Sequence, residues 1–74
     1  MIVSSEMILE VLKKNESVSK ETGSTYFDLA QGIGIDAHDK TSVDSLKKRC
    51  KFLVENKQIV AGTSNRMITV FFTR

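Results

Sequence analysis

The segment from residue 43 to residue 54 places apolar side chains at Val43, Leu46, Cys50 and Leu53, with Val54 alongside. Steps of three, four and three residues keep these groups on one side of an α-helix. The same stretch contains Lys47, Lys48, Arg49 and Lys51, so a helix that must contribute to the core also carries the densest positive charge in the chain. Any acceptable fold has to bury one side of this helix and leave cations outside. The pattern predicts a helix from about Thr41 to Asn56, with Thr41 and Asp44 at capping-box spacing at its start.

The remainder divides into shorter elements within one domain spanning residues 1–74. Ser4 or Ser5 offers an N-cap to a first helix of about Ser5 to Lys14, in which Ile8, Val11 and Leu12 form the apolar stripe. The polar stretch from Asn15 to Ser24 breaks the pattern, and Val18 within it is enough for a very short strand. A second helix begins at Thr25, where Thr25 and Asp28 have capping-box spacing, and ends at Gly32 or Gly34. Phe27, Ala30 and Leu29 are expected on its inner side. After the third helix, QIVAG and MITVFFT flank a turn, TSNR, and read as a hairpin. Ile68, Val70 and Phe72 share one face of its last strand, and Met67, Thr69 and Phe71 share the other.

This order of elements resembles a family. Helix-turn-helix units often have an alanine in the first helix, a glycine four residues later and an apolar residue after it, matched here by Ala30, Gly34 and Ile35. Val43 and Leu46 match the anchors of the second helix. With the closing hairpin, residues 5–73 resemble a winged helix-turn-helix domain, an α+β fold of three helices and a β-hairpin wing. One departure is the connection DAHDKTS between Ile35 and Val43, about three residues longer than the tight turn of such units.

The charge distribution agrees with what the resemblance implies. Residues 1–30 carry three lysines and five acids, whereas residues 31–74 carry eight Lys or Arg and four acids. A basic end of this kind can face phosphates. At about 100° per residue, the cations of the third helix lie largely outside its apolar stripe. The resemblance implies that this helix enters the major groove of double-stranded DNA. Ser42, Ser45 and Lys48 are then expected nearest the base edges, with Arg49 on a guanine or a phosphate. Lys40 and Thr41 are expected at the backbone, and Arg66 at the wing tip in the minor groove or on a phosphate. Losing Lys48 or Arg49 should spare stability. Phe52, opposite the stripe, packs beneath the hairpin or marks a partner surface.

The expected function is therefore that of a small sequence-specific DNA-binding protein, a transcriptional regulator of bacterial or phage type. Useful specificity would call for a homodimer, repeated sites or a partner. The alternative is a winged-helix interaction module that binds and modulates a polymerase, replication factor or host enzyme. An enzyme is not expected. Gly32 and Gly34 follow no strand, so they make no nucleotide fingerprint, and no nucleophile accompanies Asp36 and Asp39. A lone cysteine, Cys50, and a lone histidine, His38, give no disulfide framework and no multi-cysteine metal site. No cofactor, metal or small-molecule substrate is implied. With no apolar run near about 20 residues and no secretory-type start, no membrane association and a cytoplasmic location are expected.

Overall fold

The computed structural model describes residues 2–73. Three helices, α1 (Ser5–Lys14), α2 (Tyr26–Ile33) and α3 (Lys40–Glu55), precede an antiparallel hairpin of β1 (Val60–Thr63) and β2 (Thr69–Phe72). This α+β arrangement is consistent with a winged helix.

Local chemistry accounts for the helix limits. Ser4, in extended conformation, caps α1 by accepting from the Met7 amide at 3.3 Å. Glu6 at its start and Lys13 and Lys14 at its end suit the helix dipole. At α2 the predicted capping box forms: Thr25 Oγ1 accepts from the Asp28 amide and Asp28 Oδ2 from the Thr25 amide, both at 3.1 Å. Gly34 ends α2 in the left-handed region, φ 91°, where glycine is at ease. The other two helices make the same ending without glycine. Glu16 (φ 52°) and Lys57 (φ 59°) follow α1 and α3. The Lys57 and Gln58 amides donate to the carbonyls of Val54 and Leu53 at 3.0 and 2.9 Å, and Glu16 and Ser17 repeat the pattern on Lys13 and Leu12. Both are Schellman closures.

Three expectations require correction. The Thr41–Asp44 box does not form. Asp39 caps α3 instead, its carboxylate accepting from the Ser42 amide at 3.2 Å and the Ser42 hydroxyl at 2.7 Å. The helix thereby takes in Lys40, Thr41 and Ser42, leaving residues 34–39 as the connection, still longer than a tight helix-turn-helix turn. Phe27 points outward, 64% exposed, because it lies two residues from fully buried Leu29 and so on the opposite side of α2. Among the described residues no strand forms at Val18. The bridge lies at Ser24, whose amide and carbonyl pair with those of Phe71 at 2.8 Å.

The hairpin is covered on both faces near its root. Phe71 joins the core, its ring edge-on to Tyr26 at 4.9 Å between centroids. Val70, facing the other way, is buried beneath Gly23, where a Cβ would come within 2.8 Å of the valine side chain. The Ser17 and Ser24 hydroxyls share a 2.8 Å hydrogen bond beside it, and the Thr73 amide donates to the Ser17 carbonyl at 2.8 Å. The polar 15–24 connection is thus laid along the outer edge of β2. Helices α1 and α2 approach closely at Gly32, where a Cβ would meet Val11 at 2.7 Å. Between helices and hairpin lies a core that includes Ile8, Leu12, Leu29, Leu46, Leu53 and Ile59.

Candidate nucleic-acid interface

Helix α3 buries Ser42, Leu46, Cys50 and Leu53, a stripe stepping by four, four and three residues. Ser42 precedes Leu46 by one turn and therefore lies on the buried side. It is 1% exposed, and its hydroxyl serves the N-cap. The expectation that Ser42 reads base edges is therefore withdrawn. Val43 moves to the flank of the stripe and packs partly against the core.

Ser45 and Arg49 occupy one flank and are half-buried. The buried residue Val3 donates its amide to Ser45 Oγ at 3.0 Å, and Arg49 Nε donates to the Val3 carbonyl at 3.3 Å. Arg49 also lies over the Phe52 ring, 5.2 Å from its centroid. Part of its donor capacity is thus used within the protein, whereas Arg49 was expected to face outward. Phe52 is 47% exposed and stacks with Arg49. It lines a hollow along α3 and does not join the core beneath the hairpin.

The outward side retains more of the predicted set. Lys40, Thr41 and Lys48 are exposed, together with Lys47 and Lys51. Lys47 reaches the Tyr26 ring, its Nζ 5.9 Å from the centroid. The hairpin tip presents Arg66 and Asn65, both exposed. Its shape is fixed by Ser64, whose Oγ accepts from the Arg66 and Ile68 amides at 3.3 Å, and by Met67 in the left-handed region at φ 61°.

Three hollows join these groups. One of about 560 Å³ runs along α3 and is lined by Thr41, Asp44, Ser45, Lys48, Arg49 and Phe52. A second, of about 550 Å³, lies between α3 and the hairpin, with Lys47, Lys48 and Lys51 above Tyr26 and Phe71. A third, of about 270 Å³, brings Lys20 beside Arg66 at the hairpin tip. Sequence reasoning did not find Asp44 or Lys20. Asp44 was read as the capping partner of Thr41, while Lys20 reaches the hairpin tip only because residues 15–24 fold against the hairpin.

Ionisation follows these surroundings. The hydrogen bonds from the Ser42 side chain and backbone hold the Asp39 carboxyl below its ordinary value. Burial pushes the Cys50 thiol up to about 12 and raises the Tyr26 phenol. His38 is exposed in the turn after Asp36. Among the described residues, no three His, Cys, Asp or Glu side chains converge as metal ligands, and no helix is long and apolar enough to cross a membrane. Comparisons of the chain with protein-family models, curated proteins and solved structures gave no match.

Proposed function

We propose that this chain is a winged helix-turn-helix protein that binds double-stranded DNA sequence-specifically and acts as a transcriptional regulator by occupying its site. The observation that carries the reading is the exposure of Lys40, Lys47, Lys48 and Lys51 on α3, away from its buried stripe and beside the hairpin. In this reading α3 enters the major groove. Thr41 and Lys48 meet base edges or nearby phosphates, and Arg66 with Lys20 meets the flanking backbone or minor groove. Ser45 and Arg49 border the contact while tied to Val3. Asp39 fills the helix N-terminus, so Lys40 contributes through its side chain rather than by a backbone phosphate site.

The protein measures 28 × 25 × 21 Å, and a module of this size covers few base pairs. Single modules bury about 600–1,000 Å² on DNA, so a homodimer or repeated half-sites would supply the remaining specificity.

Titration of labelled duplex against salt tests the reading. Four or five phosphate contacts predict a log–log slope of about −4, from roughly 0.9 per phosphate. Absence of binding at about 50 mM salt would overturn it. A second reading, an interaction module for a protein partner, is favoured by exposed Ile2 and Phe52 and by the aromatic floor between α3 and the hairpin. It predicts no duplex binding at low salt.

A further inference from the structure

Asp44 is the only acid between Lys40 and Arg49, and it is exposed on the outer side of α3. Lysines lie four residues before it, and three and four residues after it. The spacing to Lys47 and Lys48 supports a helix only weakly, so it does not by itself call for a carboxylate here. The cap of α3 is Asp39, the first turn of the helix contains no acid, and no hydrogen bond or ion pair engages Asp44 among the described residues. Facing phosphates, a negative charge here opposes the attraction of the lysines around it. It nevertheless lines the same hollow as Thr41, Ser45 and Lys48.

An ionised carboxylate only accepts hydrogen bonds. In the major groove, guanine offers two acceptors, thymine offers an acceptor and a methyl group, and adenine sets its amino group beside the N7 acceptor. Cytosine alone offers a donor, its N4 amino group, with no acceptor on its own edge. From this we infer that Asp44 is a specificity-determining residue that accepts from a cytosine N4 amino group, resting on the DNA-binding reading above. Lys48 lies one turn further, about 6 Å along the axis at 1.5 Å per residue. That distance is about two base-pair steps of 3.4 Å. A lysine has only donors and complements guanine O6 and N7. The site class is therefore duplex DNA with two C·G pairs about two steps apart, one presenting cytosine to Asp44 and the other guanine to Lys48.

Binding-site selection from random duplexes, run with the full chain and with Asp44→Ala and Asp44→Asn, tests this. The wild type should return one fixed cytosine. Asp44→Ala should relax that position alone, by about ten- to a hundredfold in preference, without weaker binding to random duplex. Asp44→Asn should shift the position toward adenine, which asparagine pairs at N6 and N7. A wild-type selection without a fixed cytosine, or an unchanged preference in Asp44→Ala, overturns the inference while leaving DNA binding intact. Failure of the wild type to bind any duplex at low salt instead overturns the underlying reading and the inference with it. Melting curves that nearly coincide for the three proteins should accompany the expected result, because no hydrogen bond or ion pair holds Asp44 among the described residues.

Discussion

Arg49 Nε donates to the carbonyl oxygen of Val3 at 3.3 Å, across 46 positions of sequence. The Val3 amide donates to Ser45 Oγ at 3.0 Å, so two side chains one turn apart on α3 hold both backbone polar groups of one residue. They do for Val3 what a neighbouring strand would do. The N-terminal segment is thereby fastened to the helix proposed to meet DNA.

Arg49→Ala should accordingly lower the urea midpoint, with a stability loss of about 0.5–1.5 kcal/mol, the usual net value of one hydrogen bond. Arg49→Lys should not restore the midpoint, because a lysine has no donor at the Nε position, yet it should restore part of the DNA affinity. A midpoint unchanged in Arg49→Ala would show that the link to Val3 adds nothing to stability.

Lys48→Ala separates binding from folding. Lys48 is exposed and lies outside the buried stripe of α3, so its removal should change stability by less than about 0.5 kcal/mol. The salt slope of DNA binding should become shallower by about 0.9 if it meets one phosphate. Should it meet guanine instead, the slope should hold while one base position relaxes.

Asp39 gives α3 an acid-sensitive start. Its carboxyl titrates below the ordinary 3.8 because Ser42 donates to the charged form through side chain and backbone. A lowered folded-state pKa means that this stabilisation is present above the unfolded value and is lost as pH falls through the folded one. Asp39→Ala should destabilise the protein at neutral pH and flatten its stability profile below about pH 4, whereas Asp39→Asn should retain most of the cap. Circular dichroism during urea titration at several pH values would show whether the acid limb flattens.

Glu16 and Lys57 hold left-handed conformations that cost a non-glycine residue about 1–2 kcal/mol. Glu16→Gly or Lys57→Gly should therefore raise stability by roughly 0.5–1 kcal/mol, after allowance for the greater freedom of glycine in the unfolded chain. Loss of stability in both variants would mean that their side chains contribute more than the strain costs.

Cys50 is fully buried on the inner side of α3, and its thiol is pushed up to about 12. A disulfide reagent should leave it unmodified in the native protein near neutral pH and react once the chain is unfolded. Because the folded pKa is the higher one, the related stability is complete below the unfolded value near 9 and declines as pH rises toward 12. Rapid labelling at pH 7 without unfolding would contradict this burial.

The features legible in the sequence were those encoded by neighbours. The limits of α1, the Thr25–Asp28 box, the glycine ending α2 and the terminal hairpin each depend on residues a few positions apart. At α3 the expected Thr41 cap gives way to Asp39, whose carboxylate accepts both the amide and the hydroxyl of Ser42. Ser42 itself was misplaced because Val43 drew the apolar stripe toward it, although one turn separates Ser42 from Leu46. The pairing of Ser24 with Phe71 and the hold of Arg49 on Val3 are set by tertiary approach, which local spacing does not encode. The exposure of Thr41 and Lys48 was legible from helical phase, whereas Lys40 was expected just before a helix that in fact includes it.

The edge of β2 away from β1 is occupied by Ser17 and Ser24, which bond Thr73 and Phe71. The root of the hairpin is therefore clamped from two sides, and its inclination to α3 is set before any partner arrives. Adaptation is left to the tip between Ser64 and Ile68 and to the long basic side chains. In the proposed DNA complex, association should thus consume little backbone entropy, and duplexes whose groove width does not suit that inclination should be rejected for their shape.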